Sequence, residues 1–186
     1  MKLKSLQLAL LLLFLPAIAW GQERDPLVLL AEAKAVLILR HAQTVPGTGD
    51  PAGFDPGDCS TQRNLSDAGR QEAQRLGAML RDAGLGRARL FSSPWCRAQE
   101  TARLLALGPV EISPLLASIW NDRLQYPDRS AELRQAIADW SEPEPLILVT
   151  HGVNISALLG KSAAQGSGYI LVPEAKGTVA AVGRVP

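Results

Sequence analysis

The chain has 186 residues, of which 47% are hydrophobic and 20% charged, and its mean hydropathy is +0.06. These values are typical of a globular protein with enough apolar residues for one sizeable core. The formal net charge is only +1 and the sequence contains no basic run, so its composition excludes a surface built for nucleic acid or for acidic membranes.

Residues 1–21 are predicted to be a signal peptide. Two lysines precede an almost uninterrupted apolar run over residues 6–15, and small residues follow it. This order is typical of a secretory signal, cleaved after Gly21 or alternatively after Ala19. The run is shorter than the roughly 20 apolar residues of a membrane-spanning helix, although a retained anchor stays open as an alternative. We therefore expect a mature domain over residues 22–186, periplasmic or secreted, with no stable membrane anchor.

The first predicted strand leads into a long loop. A continuous apolar run at residues 36–39 is typical of a strand buried on both faces. Residues 42–64 follow it and are rich in Gly, Pro and Asp. A loop of this length in a compact domain is usually functional, such as a lid or a substrate loop. A disordered surface insertion is the alternative.

Helices and strands alternate along the rest of the chain. A stripe of Ala and Leu at helical spacing predicts a helix that is capped by Ser66 and ends at Gly84. Residues 88–94 predict a second strand, and the next helix is expected to have Ser93 as its N-cap and Pro94 as its first residue. Further strands are predicted at residues 110–112, 146–149, 168–172 and 178–182, with helices at residues 130–140 and from the end of the 146–149 strand to residue 158. The alternation predicts a single three-layer α/β domain, with a mostly parallel central sheet flanked by helices.

Both histidines of the chain come directly after predicted buried strands. Arg40 and His41 end the first strand, His151 follows the strand at residues 146–149, and Arg97 lies in the helix after the second strand. Ligand sites in open α/β sheets collect at the carboxyl ends of the strands, so we expect these four side chains to meet. Arginines bind and neutralise a phosphoryl group, while one neutral imidazole attacks phosphorus and the other donates to a non-bridging oxygen.

The segments RHAQT, SSPWCRAQETA and VTHGVN resemble the three signatures of the histidine phosphatase superfamily, also called the phosphoglycerate mutase-like family. The family pattern is R-H-G, then S-x-x-x-R-A-x-x-T-A, then a strand that ends in H-G. The resemblance covers essentially the whole mature chain. It implies that His41 is the nucleophile that becomes phosphorylated, with Arg40, Arg97 and His151 completing the phosphate pocket. Ala42 replaces the usual glycine, a change that we expect the turn to tolerate.

The resemblance also implies a carboxylate beyond Arg97 that protonates the leaving oxygen. The segment PLLASIWNDRLQYPD contains no glutamate, so Asp122 is the candidate; a loop carboxylate paired with Arg123 is the alternative. Thr44 is a candidate substrate-binding hydroxyl, or else it caps the loop. Gly152 either lets the backbone approach a ligand closely or forms a turn.

Cys59 and Cys96 are far apart in the sequence and form no C-x-x-C motif. In an exported chain an even number of cysteines permits a disulfide between them, and two separate thiols, with Cys96 the more reactive, are the alternative. With both histidines assigned, we expect no zinc site, no other metal and no cofactor, because arginines supply the positive charge.

Together these features predict an exported phosphomonoester hydrolase that acts through phosphohistidine on His41. Its expected substrate is a phosphorylated small molecule or glycan, such as a sugar phosphate of the cell envelope, and no nucleic acid is expected as a partner. Three alternatives stay open: a phosphomutase, a non-catalytic module of the same fold that binds phosphoryl ligands, and an envelope structural protein. Export argues against the mutase, because glycolytic phosphoglycerates are cytoplasmic.

Overall fold

The computed structural model describes residues 24–120 and 126–186. The predicted signal peptide, Asp122 and Arg123 lie outside the described residues. Within the described part of the chain, no helix is both long enough and apolar enough to cross a membrane.

A six-stranded mixed sheet forms the centre of the domain. Its strands are β1 (Val36–Arg40), β2 (Arg89–Ser92), β3 (Val110–Ile112), β4 (Leu146–Thr150), β5 (Gly168–Pro173) and β6 (Val179–Val185). Their order across the sheet is β3-β2-β4-β1-β5-β6. The first four strands pair in parallel, whereas β5 pairs with β1 and β6 pairs with β5 in antiparallel fashion. The carboxyl ends of β1, β2 and β4 therefore lie side by side at one edge.

Helices cover both faces of the sheet. They are α1 (Pro26–Ala31), α2 (Asp67–Asp82), α3 (Cys96–Leu104), α4 (Tyr126–Ala138) and α5 (Gly152–Leu159). Alternate residues of β1 point into two separate hydrophobic clusters: Leu37 packs with residues of α1, α2 and α3, while Ile38 packs with residues of α4 and α5. A strand between two helical layers must be apolar at every position. The predicted three-layer α/β domain is confirmed.

The start of α3 differs from the prediction. The helix begins at Cys96, its N-cap position is Trp95, and no side chain caps it. Ser93 instead extends the strand, because its N–H donates to the Val149 carbonyl at 2.9 Å. Its hydroxyl oxygen forms a hydrogen bond with Nε2 of His151 at 2.7 Å. The predicted N-cap at Ser93, with Pro94 as the first helical residue, is therefore wrong, because a tertiary contact competes with the local capping signal.

The other helices agree with the sequence more closely. Ser66 caps α2, since its hydroxyl accepts a hydrogen bond from Gly69 N at 3.0 Å. Helix α4 begins four residues earlier than predicted, at Tyr126, and ends at Ala138. Helix α1 was not predicted, although the Asp25 side chain caps it and Pro26 opens it, which is a recognisable helix start.

Candidate active site

The two histidines meet because β1 and β4 are neighbours in the sheet. Arg40 pairs with Thr150 at the end of the two strands, and the backbone N–H of His41 donates to the Thr150 carbonyl at 3.0 Å. His151 follows directly on β4. The centroids of the two imidazole rings are 5.4 Å apart.

One nitrogen of the His41 ring is free to act as a nucleophile. Nδ1 lies 2.9 Å from the Ala42 carbonyl oxygen. A carbonyl can only accept, so Nδ1 carries the proton and Nε2 keeps its lone pair. Burial of the ring, together with the charges of Arg97, Arg40 and Arg63, lowers the pKa of His41 to about 3, although the bond to Ala42 opposes this shift. His41 is therefore neutral at neutral pH, as a nucleophilic imidazole must be.

His151 is the second buried imidazole, with 4% of its surface exposed. Its Nε2 lies 2.7 Å from the Ser93 hydroxyl, and the Trp95 ring packs edge-on against it at 5.4 Å between centroids. Burial is the main cause that lowers the pKa of His151 well below its usual value, and the charges of Arg97 and Arg40 add to it. The hydrogen bond and the packing fix the plane of the ring beside His41.

Arg40 is the last residue of β1 and lies at the same edge of the sheet as the two histidines. Its Nη1 donates to the Ala163 carbonyl at 2.9 Å, while its Nε is buried and has no hydrogen-bond partner among the described residues. A Cβ at Gly152 would lie 3.2 Å from that Nε. A side chain at position 152 would therefore crowd the guanidinium, so the glycine permits this close approach.

Arg97 extends from the first turn of α3 and is 5% exposed. Its two terminal nitrogens bind the Asp50 carboxylate, with Nη1–Oδ1 at 2.6 Å and Nη2–Oδ2 at 3.1 Å. Asp50 belongs to the loop of residues 42–64. The loop thus contacts a residue that the sequence assigns to the phosphate pocket.

These side chains line a cavity of about 1000 Å³. Arg40, His41, Arg97, His151 and Gly152 all contribute to its wall. Residues 47–54 of the loop form another part of the wall, with aromatic side chains and a third arginine nearby; these are Phe54, Trp95, Trp120 and Arg63. The structure therefore brings together the four residues that the sequence predicts for phosphoryl transfer.

The model of the histidine phosphatase superfamily (branch 1) matches residues 36–125 of the chain. Residues 36–125 belong to the histidine phosphatase superfamily. The match contains the first two of the three signatures, and the third signature, at His151, lies beside the first in the wall of the same cavity. The superfamily match and the assembled pocket support a phosphatase.

Solved structures of several enzymes share this fold. A phosphoserine phosphatase of Entamoeba histolytica, in complex with 3-phosphoglyceric acid, is 12% identical and has a TM-score of 0.63, with 82% of this chain and 96% of that chain covered. The product of the open reading frame Rv3214 of Mycobacterium tuberculosis is 20% identical, with a TM-score of 0.62 and coverage of 80% and 95%. The protein histidine phosphatase SixA, in complex with tungstate, is 16% identical, with a TM-score of 0.56 and coverage of 81% and 96%. No curated protein matches the chain by sequence.

Two further site residues that the sequence predicts are not part of the described cavity wall. Thr44 does not line it: the Thr44 hydroxyl accepts a hydrogen bond from Gln165 Nε2 at 3.2 Å, and the Thr44 N–H donates to Gln165 Oε1 at 3.2 Å. Thr44 is therefore bonded to Gln165, a residue of the cavity wall, and its proposed contact with substrate stays a prediction. Asp122, the candidate proton donor, lies outside the described residues.

Asp50 and Arg63 are pocket residues that the sequence did not reveal. Both belong to the loop of residues 42–64, which has no periodic pattern that would place individual side chains. Burial, followed by the charge of Arg97, lowers the pKa of Arg63, while Asp50 opposes the shift. The only signal in the sequence was the length and composition of the loop, which indicates function without indicating which residues carry it.

The loop is attached to the start of α3 at several points. Cys59 and Cys96 form a disulfide, and Gln62 Oε1 accepts a hydrogen bond from Cys96 N at 3.0 Å. The Phe54 and Trp95 rings pack at 6.0 Å between centroids. The sequence left open a disulfide or two separate thiols, and the structure contains the disulfide.

No group of three or more His, Cys, Asp or Glu side chains in residues 24–120 and 126–186 is arranged to hold a metal ion. The positive charge in the described cavity wall comes from the guanidinium groups of Arg40, Arg63 and Arg97.

Proposed function

We propose that this protein is an exported phosphomonoester hydrolase that acts through a phosphohistidine intermediate on His41. The observation that supports this most directly is the His41 ring itself. Its Nδ1 faces a carbonyl and so carries the proton, its Nε2 makes no hydrogen bond to any described residue, and it lies in a cavity with a second imidazole and three guanidinium groups. Each of these groups has a place in the reaction.

In the first step the guanidinium groups bind the non-bridging oxygens of the phosphate monoester. His41 Nε2 then attacks phosphorus, the N–P bond forms, and the P–O bond to the leaving group breaks. Negative charge redistributes over the phosphoryl oxygens in the transition state, and Arg40, Arg97 and His151 stabilise it there. In the second step water attacks phosphorus, a P–O bond forms, and the N–P bond breaks. Inorganic phosphate leaves with the water oxygen, the proton lost by that water passes to solvent or stays on phosphate, and the neutral His41 ring is restored.

The leaving oxygen needs a proton when the alcohol is a poor leaving group. We propose Asp122 as the donor, and the Asp122→Asn variant tests this. It should slow the hydrolysis of alkyl phosphates far more than that of aryl phosphates, since aryl leaving groups need less protonation. Equal slowing of both substrate classes would reject the assignment.

The cavity wall supports a phosphorylated small molecule or glycan as the substrate. The three aromatic side chains Phe54, Trp95 and Trp120 provide flat apolar surface next to the arginines, which suits a sugar ring or another compact organic group attached to the phosphate. A phosphorylated sugar of the cell envelope would also agree with the predicted export and with the absence of a basic run from the sequence.

A screen of phosphorylated metabolites and envelope glycans tests the proposal, with p-nitrophenyl phosphate as the first substrate. The wild type should release inorganic phosphate, and His41→Ala should abolish release. Asp55→Asn is a matched control, because Asp55 is an exposed residue of the same loop that does not line the cavity. Phosphate binding without turnover by the wild type would instead favour a non-catalytic module of the same fold.

A further inference from the structure

Asp50 is a buried carboxylate whose hydrogen bonds are all made inside the cavity wall. Only 8% of its side chain is exposed. Oδ1 accepts from Arg97 Nη1 at 2.6 Å and from the backbone N–H of Arg63 at 3.1 Å. Oδ2 accepts from Arg97 Nη2 at 3.1 Å and from Trp95 Nε1 at 3.0 Å. Four donors hold this carboxylate in one position, and two of them belong to one guanidinium.

The hydrogen bonds of Arg97 show which of its N–H groups Asp50 does not occupy. A guanidinium has five N–H groups in a planar fork. The two on Nη1 are directed to Asp50 Oδ1 and, at 3.4 Å, to the Arg63 carbonyl, and one on Nη2 is directed to Asp50 Oδ2. Nε is buried and has no partner among the described residues. The N–H of Nε and the second N–H of Nη2 lie side by side on the remaining edge, in the parallel arrangement that binds two oxygens of a phosphate.

We propose that Asp50 is a positioning residue that holds the terminal nitrogens of Arg97, so that the Nε–Nη2 edge of the guanidinium binds the phosphoryl group. The inference rests on the proposed phosphoryl chemistry of the cavity. Asp50 binds the Nη1–Nη2 edge of Arg97, and the substrate binds the Nε–Nη2 edge. The two anions therefore bind one arginine at the same time.

The charge balance of the cavity agrees with this arrangement. The described wall contains three guanidinium groups and one carboxylate, that of Asp50. Two positive charges therefore remain to face a phosphate dianion. Burial raises the pKa of Asp50, but the bonds from Arg97, Arg63 and Trp95 outweigh it and hold that pKa below its usual value. Asp50 thus stays ionised at neutral pH, as an anchor must, whereas a proton donor would need the protonated form.

Three variants of Asp50 separate anchoring from other roles. Asp50→Asn keeps the shape but loses the charge, Asp50→Ala removes the contact, and Asp50→Glu keeps the carboxylate on a longer side chain. We expect kcat/KM for p-nitrophenyl phosphate to fall about 100-fold in the Ala and Asn variants, because small displacements of a binding group cost roughly that much. The Glu variant should recover part of the loss, and Asp55→Asn should behave like the wild type.

Binding of orthovanadate, measured by calorimetry, tests the inference independently of turnover. The affinity should fall at least about tenfold in Asp50→Asn, in line with the loss of one charge-assisted contact to the anion. A wild type that binds orthovanadate but hydrolyses no ester would refute the proposed function and leave the positioning of Arg97 testable. Melting temperatures measured alongside show whether each variant is folded.

A double-mutant cycle shows whether Asp50 acts through Arg97. In an Arg97→Ala background, Asp50→Asn should cost no further orthovanadate affinity, since the group that it positions is gone. Arg97→Lys replaces Arg97→Ala if the latter does not fold, because lysine cannot form the two parallel bonds. Additive losses in the cycle would overturn the proposal. So would tighter orthovanadate binding in Asp50→Ala, which would mean that Asp50 competes with phosphate, or a loss confined to alkyl phosphates, which would mean that Asp50 is a proton donor.

Discussion

Thr101→Val tests how the helix after β2 supports the nucleophile. Thr101 is fully buried in α3. Its hydroxyl accepts a hydrogen bond from the N–H of Ala42 at 3.0 Å and donates to the Arg97 carbonyl at 2.7 Å. Valine has nearly the same shape, so the substitution removes the hydroxyl and little else. Ala42, which follows the nucleophile, is also fully buried, and water therefore cannot replace the lost partner.

The expected cost follows from that unsatisfied N–H. A buried donor without a partner costs about 1–3 kcal/mol, and a loss of about 2 kcal/mol lowers the melting temperature of a domain of this size by roughly 4–8 °C. We also expect kcat to fall, because the peptide between His41 and Ala42 loses the bond that fixes it.

Urea unfolding and the hydrolysis of p-nitrophenyl phosphate measure the two effects. Thr101→Ser is the matched control: it keeps the hydroxyl and loses one buried methyl group, so it should keep kcat and lose about 1 kcal/mol of unfolding free energy. A valine variant as stable and as active as the wild type would refute the reasoning. So would a serine variant that loses as much activity as the valine one.

Three further predictions concern the loop, a helix contact and pH. Replacing both Cys59 and Cys96 by serine should lower the free energy of unfolding by about 4 kcal/mol, since the disulfide closes a 37-residue separation; unchanged urea unfolding would contradict this. Gly69→Ala should destabilise the fold by about 1–3 kcal/mol and reduce kcat, because a Cβ there would overlap the carbonyl oxygen of Gln43; a normal melting temperature with normal kcat would be the opposite result. The folded-state pKa of His41, about 3, lies below the ordinary histidine pKa of 6.5, so its contribution to stability is present above pH 6.5 and is lost as the pH falls towards 3; urea midpoints measured across that range should decline less in His41→Gln than in the wild type.

Much of the fold follows from local signals in the sequence. The apolar run of β1 is continuous because helices cover both sides of the strand, and Ser66 caps α2 through a contact three residues away. The meeting of His41 and His151 was also predictable without knowing the strand order. Both residues follow parallel strands, and the carboxyl ends of parallel strands share an edge.

The rest depends on contacts between distant parts of the chain. Ser93 has every local property of an N-cap, yet its hydroxyl binds His151, which is 58 residues away. The bond between Asp50 and Arg97 joins residues 47 positions apart. Loop residues have no periodicity from which their direction can be read, so only the folded structure identifies Asp50 and Arg63 as parts of the cavity wall.

Detection of the covalent intermediate is the most direct test of the central claim, that His41 carries the phosphoryl group. The protein would be mixed with p-nitrophenyl phosphate, quenched within the first turnover under alkaline conditions that preserve phosphohistidine, and digested for mass spectrometry. We predict one PO₃ group, localised by fragmentation to His41 within the peptide of residues 41–63, and none in the His41→Ala variant. Undiminished hydrolysis by His41→Ala, or turnover by the wild type with no phosphorylated His41 at any quench time, would contradict the account.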